Sequence, residues 1–259
     1  MKKIILLILV LSFAKIYAQE NFKVIRVNGT IVNEKSNSNL AAGSVFSDND
    51  ILSFGNSSSR AAVINSKGRY ILASNNSKNA YAKSYLTPAM SNMSSRSGAI
   101  VNQVDLKNHF SGNYLIFKTS EVKVSKDNFP MDENHFFYIR YEYKGEKINK
   151  QLKNINDTLI INKSELMTVD GQPIPNPNIK NMKIFYFDKT TKNSIEIGAF
   201  NPVFVNEEEL KTEVTILLEG LDKKTKQEKI DEVLSYINDF YGKPDKENLT
   251  EWLEANFKL

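Results

Sequence analysis

His135-Phe136-Phe137-Tyr138-Ile139-Arg140-Tyr141-Glu142-Tyr143-Lys144-Gly145-Glu146-Lys147-Ile148 decides the fold class. Its first nine residues are rich in aromatic and β-branched side chains, which suit a pleated, half-buried surface. Lys144-Gly145 then offers a turn into a second strand. Short segments of the same kind flank it on both sides. Tyr114–Lys118 and Glu121–Ser125 read as a hairpin, and 157–162, 182–188 and 194–200 as further strands. Gly171, Pro173, Pro175 and Pro177 predict an extended loop between them, because proline cannot join a central ladder. No connection carries a convincing crossover helix, so antiparallel pairing is expected throughout this β-rich domain, residues 101–205.

Toward the C terminus the period changes. Leu210, Val214, Leu217, Leu218 and Leu221 fall on one helical face, with Asn206 as N-cap and Glu207, Glu208 and Glu209 in the first turn. Thr225 and Glu228 form a capping-box pattern ahead of Ile230, Val233, Leu234, Ile237 and Tyr241. Gly242 and Pro244 end that helix, and Asp245 caps a third carrying Leu249, Trp252, Leu253 and Phe257. Residues 206–259 are therefore a three-helix tail whose apolar stripes serve as core. The class is α+β.

Toward the N terminus lies a smaller all-β module, residues 19–75. Phe22–Val27 and Thr30–Val32 flank Asn28-Gly29, a hairpin signal. Ile51–Phe54, Ala61–Ile64 and Tyr70–Ala73 follow at short spacing, the last two split by Ser66-Lys67-Gly68. Residues 76–100 are dense in Ser and Asn and read as a linker. Within it Tyr81, Tyr85, Leu86 and Met90 can pack one short element.

Val27-Asn28-Gly29-Thr30-Ile31, Leu40, Gly43, Asp50-Ile51, Ser59–Ile64 and Gly68-Arg69-Tyr70-Ile71-Leu72 resemble the FecR-type β domain over residues 22 to 75. The resemblance implies a small β fold. The best-known members regulate sigma factors from the membrane, a role that needs a cytoplasmic segment and a transmembrane helix. The chain as a whole resembles exported proteins of the Bacteroidetes type.

The first residues point the same way. Met1-Lys2-Lys3, an apolar run from Ile4 to Phe13 and Ala18 read as a signal peptide, residues 1–18, cleaved before Gln19. The run is too short to span about 30 Å of hydrocarbon. With no cysteine in the chain, a lipid anchor, disulfides and thiolate metal sites are closed routes. The expected product is soluble, periplasmic or secreted. Removing Lys2, Lys3 and Lys15 lowers the formal charge from +4 to about +1, so a nucleic-acid partner is not expected. Residues 22–100 carry about +6 and residues 206–259 about −6. That asymmetry reads as two solvated surfaces, or as a basic front that meets an acidic partner or the chain's own tail.

Reactive chemistry is thin. His109 and His135 are the only histidines and form no metal-ligand spacing; they read as surface or structural residues. Ser120-Glu121-Val122-Lys123 matches Ser-x-x-Lys, but within a predicted hairpin rather than at a helix start. Asp48-Asn49-Asp50 lacks the glycine and distal glutamate of a calcium loop and reads as a turn. No catalytic residue, metal or cofactor is expected.

One constellation offers a binding patch: Arg60, Lys67, Arg69, Tyr70, Tyr81, Lys83 and Tyr85, with Lys78 and Arg96 nearby. Cations beside aromatics suit an acidic glycan, anionic headgroups or an acidic protein face. The expected function is a binding or scaffolding component of a cell envelope, acting through strand edges and the basic front. The alternatives are a carboxylate-dependent hydrolase of envelope polymers and an adaptor docking a partner helix through the acidic tail.

Overall fold

A computed structural model describes residues 19–75, 80–89, 100–174 and 179–259. The signal-peptide reading of residues 1–18, the positions Lys78, Met90 and Arg96, and Pro175 and Pro177 lie outside the described residues. The chain divides into two compact units, one closing at Ala89 and the other taking the rest. The class is α+β with a β-rich body. No helix among the described residues is long and apolar enough to cross a membrane.

The first unit holds eight short strands: β1 (Asn21–Asn28), β2 (Ile31–Asn33), β3 (Ser38–Asn39), β4 (Val45–Ser47), β5 (Leu52–Phe54), β6 (Arg60–Asn65), β7 (Gly68–Ala73) and β8 (Leu86–Pro88). They form antiparallel sheets of order β4-β1-β6-β7-β8 and β3-β2-β5. Phe22, Val24, Ile31, Leu52, Val63 and Leu72 from both sheets share one core. Tyr81, Tyr85 and Leu86 do build a short element: a 3-10 turn, Ala82–Tyr85, running into β8.

The hairpin expected at Asn28-Gly29 does not form. β1 pairs with β4 and β6, whereas β2 pairs with β3 and β5, so the turn carries the chain from one sheet to the other. A two-residue type I′ hairpin needs positive φ at both central residues. Here only Gly29 has it, at +84°. Its missing Cβ also makes room for Ser59, whose Oγ would lie 2.5 Å from one.

The second unit contains β9 (Gly112–Ile116), β10 (Thr119–Lys123), β11 (His135–Tyr143), β12 (Glu146–Gln151), β13 (Lys153–Ile155), β14 (Thr158–Asn162), β15 (Thr168–Val169), β16 (Gln172–Pro173), β17 (Met182–Asp188) and β18 (Asn193–Phe204). Its helices are α1 (Gln103–His109), α2 (Lys163–Leu166), α3 (Glu207–Glu219), α4 (Lys226–Phe240) and α5 (Lys246–Asn256). The main sheet runs β12-β11-β17-β18-β9 and a second runs β10-β14-β13. Leu106, Phe137, Ile139, Leu159, Ile161 and Ile184 contribute to the core of this unit. The β11–β12 hairpin forms with positive φ at both Lys144 (52°) and Gly145 (83°), the condition that Asn28-Gly29 fails. The three tail helices carry the expected caps: Asn206, the Thr225–Glu228 capping box and Asp245.

Four local expectations are corrected. Pairing is not antiparallel throughout: β9 runs parallel to β18, from Gly112↔Phe200 to Ile116↔Phe204. A parallel pair needs a long connection rather than a crossover helix as such, and here that connection, residues 117–192, contains the strands β10 to β17. The hairpin expected between 114–118 and 121–125 is absent, because β9 and β10 belong to different sheets. Instead the Phe117 N–H donates to Ser120 Oγ at 3.3 Å, turning the chain between them. The predicted extended loop contains a small hairpin, β15–β16, turned by Asp170 and Gly171, both at positive φ. Finally, α1 was not anticipated. Only Leu106 in it is buried and Val104 is 67 % exposed, so it carries almost no apolar periodicity.

Candidate functional site

β10 is an edge strand. One side pairs with β14 from Thr119↔Asn162 to Lys123↔Thr158. Among the described residues the other side has no strand; the first turn of α5 lies along it. Asn248 closes it at Glu121: the Glu121 N–H donates to Asn248 Oδ1 at 2.8 Å, and Asn248 Nδ2 donates to the Glu121 carbonyl at 2.8 Å. Two residues on, the Ile100 N–H donates to the Lys123 carbonyl at 2.9 Å and the Ser125 N–H donates to the Ile100 carbonyl at 2.8 Å. Bare strand edges template other chains, and this one is sealed by a side chain and a single residue of main chain.

Two cavities meet at Asn248. One, of about 230 Å³, is lined by His109, Val122, Thr158 and Asp245 among others. The second, of about 310 Å³, includes Phe117, Thr119, Glu207 and Trp252 in its lining. Glu121, Asn248 and Glu251 border both, so the two form one trough along β10. The Phe117 and Trp252 rings pack 5.7 Å apart, and the indole Nε1 of Trp252 is buried without a hydrogen-bond partner. A buried donor left unmatched is costly.

The back wall of the smaller cavity holds ionisable groups that burial has shifted. His109 ends α1, and its Nε2 lies 2.9 Å from the Tyr114 hydroxyl on β9. Burial first, and the nearby Lys243 ammonium second, lower the imidazole pKa to about 4. It is therefore neutral at neutral pH, and its 3.8 Å approach to Asp245 Oδ2 is not an ion pair there. Burial pushes the Tyr114 hydroxyl well above its ordinary value, so it stays protonated and can donate to Nε2. Burial also raises Asp245, while bonds from Asn248 and the charge of Lys243 pull it back. Lys243 is itself lowered by burial and donates to the Asn108 carbonyl at 2.7 Å.

Gly242 makes this wall possible. At φ +135° it brings the chain so close to β9 that a Cβ would sit 2.5 Å from the Asn113 carbonyl oxygen. Lys243 then joins β9 through its N–H to Asn113 (2.7 Å) and its carbonyl to Leu115 (3.0 Å). Asp245 follows as the cap of α5, accepting from the Asn248 N–H at 2.9 Å. The neutral His109 imidazole and the Asn248 amide, with the exposed carboxylates of Glu121, Glu247 and Glu251 around them, suit amide groups and cations.

The residues expected to form a basic patch belong to the first unit and divide by burial. Arg69 and Tyr85 are buried, 4 % and 3 % exposed. Tyr70 is half-buried with its ring edge-on to Phe22 at 5.5 Å. Arg60 stands opposite Ala73 across β6 and β7. Lys67 is exposed and paired with Glu20, whose hydrogen bond raises the lysine pKa. Tyr81 and Lys83 are brought together in the open, the ammonium 5.7 Å from the ring centre.

Other sequence candidates serve structure. His135 lies 2.9 Å from Asp132 and stacks on Tyr186 at the start of β11. Asp50 accepts from the Ser47 N–H and from Asn33 in a turn. Ser120 is buried in β10, and Lys123 pairs with Asp157 at 3.8 Å. Among the described residues, no group of three His, Asp or Glu side chains is placed to hold a metal ion. Sequence reasoning marks Asp245 only as a cap, His109 only as a surface or structural histidine and Tyr114 only as the start of a strand, and it misses Asn248. The chain matches no protein-family model and no curated protein.

Proposed function

We propose that this chain is an exported component of a cell envelope that binds or scaffolds another molecule, with the trough along β10 as its binding site. The observation that carries this reading is the edge of β10, bridged at Glu121 by the Asn248 amide and flanked by cavities of about 230 and 310 Å³. Strand edges supply directional main-chain contacts, and flanking cavities supply side-chain specificity. Export draws on the signal-like residues 1–18, and the first unit fits a FecR-type β module in its short-strand sequence pattern.

A photo-reactive residue at Lys123, compared in living cells with one at the turn residue Lys192, which lines neither cavity, tests the site. A partner captured from position 123 alone supports it; equal capture from both positions overturns it. N-terminal sequencing tests export: a product beginning at Gln19 supports it, and one retaining Met1 removes the envelope from the proposal. A second reading, hydrolysis, draws on Asp245, whose pKa is raised beside a neutral imidazole. Asp245→Asn that keeps the crosslink but abolishes cleavage of purified envelope polymer would favour it.

A further inference from the structure

We infer that the trough receives an extended segment of a partner protein bearing lysine or arginine side chains, which adds to β10 in the place Asn248 now occupies. The inference rests on the reading of the trough as a binding site and names what it binds.

The Asn248 side chain is a primary amide doing the work of a peptide group. It accepts from the Glu121 N–H and donates to the Glu121 carbonyl, the reciprocal pair that one residue of an antiparallel neighbour would make. Ile100 already takes up main-chain bonds further along the same edge. Because outward-facing residues alternate in a ladder, Thr119 turns its backbone the same way as Glu121. With Asn248 withdrawn, the stretch from Thr119 to Glu121 is open to a short antiparallel ladder, ending where Ile100 begins. Asn248 lies in the first turn of α5, where its N–H and its side-chain amide both donate to Asp245 Oδ1, at 2.9 and 2.8 Å, rather than to the helix ladder, so it withdraws together with that capping turn.

The charge of the trough selects the partner. Glu121, Glu207, Glu247 and Glu251 line it against Lys118 and Lys123, and Lys123 is already paired with Asp157. A strand laid on β10 would project alternate side chains to its two faces, beside these carboxylates. Basic side chains match them; acidic ones are repelled.

The test uses the full chain and a capped hexapeptide of alternating lysine and valine, with a glutamate–valine peptide as control. Trp252 is the only tryptophan and lines the trough, so its fluorescence reports binding. Asn248→Ala should bind the lysine peptide at least tenfold more tightly than the unaltered chain, and the glutamate peptide should give no saturable change. Equal or weaker binding by a natively folded Asn248→Ala overturns the inference, as does equal binding of both peptides. Edge-to-edge dimers of that variant in sedimentation, in place of peptide binding, also overturn it.

Should Asn248→Ala fail to fold, the double variant Glu207→Gln/Glu251→Gln decides. At an unchanged melting temperature it should weaken the lysine peptide at least fivefold, and unchanged affinity overturns the inference. A partner crosslinked at Lys123 through a segment without basic residues overturns the partner chemistry and leaves the site standing. Loss of that crosslink removes both.

Discussion

In the first unit Asn33, Ser47 and Ser59 are buried, and their side chains hold turns. Asn33 Oδ1 accepts from the Lys35 N–H at 3.0 Å, and Ser59 Oγ accepts from Thr30 and Asn56, each at 3.3 Å. In the second unit the polar groups along β10 include His109, Tyr114, Asp245 and Asn248, and all but Tyr114 line a cavity. Both arrangements satisfy buried polar atoms. They differ in setting: those of the first unit hold turns, whereas His109, Asp245 and Asn248 of the second border open volume. Shifted titratable groups beside a cavity are where a fold spends stability on recognition or chemistry. That contrast is why the proposed binding site is placed in the second unit.

The sharpest way to break this contrast is at Gly242. Gly242→Ala forces a side chain into left-handed backbone and against the Asn113 carbonyl, at a cost of about 3–5 kcal/mol in urea unfolding. A variant as stable as the parent would mean the cavity wall is not anchored there.

Next in size is a pH effect. His109 is held at about 4 when folded, against about 6.5 in an unfolded chain. As pH falls through that window the unfolded chain takes up the proton first. The imidazole's contribution to stability is present above about 6.5 and lost toward pH 4, by up to about 1.4 kcal/mol per pH unit. Asp245, raised when folded, acts oppositely in its own window: its folded form holds the proton more tightly, so it favours folding as pH falls. Subtracting the profile of His109→Gln from that of the parent isolates the histidine part. A flat difference from pH 4 to 6.5 would show that the imidazole is not buried as described.

Tyr114→Phe should cost about 1–2 kcal/mol, because it strips the imidazole nitrogen of its hydroxyl partner. In the first unit Gly43→Ala meets open space and only the backbone penalty at φ +84°, about 1 kcal/mol. If Gly43→Ala proved as damaging as Gly242→Ala, the difference between the units would lose its basis.

Much of the fold was legible wherever a few neighbouring residues decide it. Lys144-Gly145 turns β11 into β12, the Thr225–Glu228 box starts α4, and aromatic density marks β11 from end to end. What was not legible depends on residues far apart in sequence. Nothing near Tyr114 signals that β9 will lie parallel to β18, whose Asn201 bonds Asn113 across 88 positions. The Asn28-Gly29 signal was read correctly as a turn and wrongly as a hairpin, because turn chemistry constrains local backbone and not the choice of partner strand. The candidate site suffers most from this. Asn248 reaches Glu121 across 127 positions and Lys243 reaches Asn108 across 135, so each looked like an isolated residue.

The pairing of β9 with β18 also bears on how the chain assembles. Residues 117–192 lie between the two strands, so their pairing closes a long loop. Contacts that close so long a loop form late and slow the final step, so the second unit should complete its sheet after its hairpins and helices have settled.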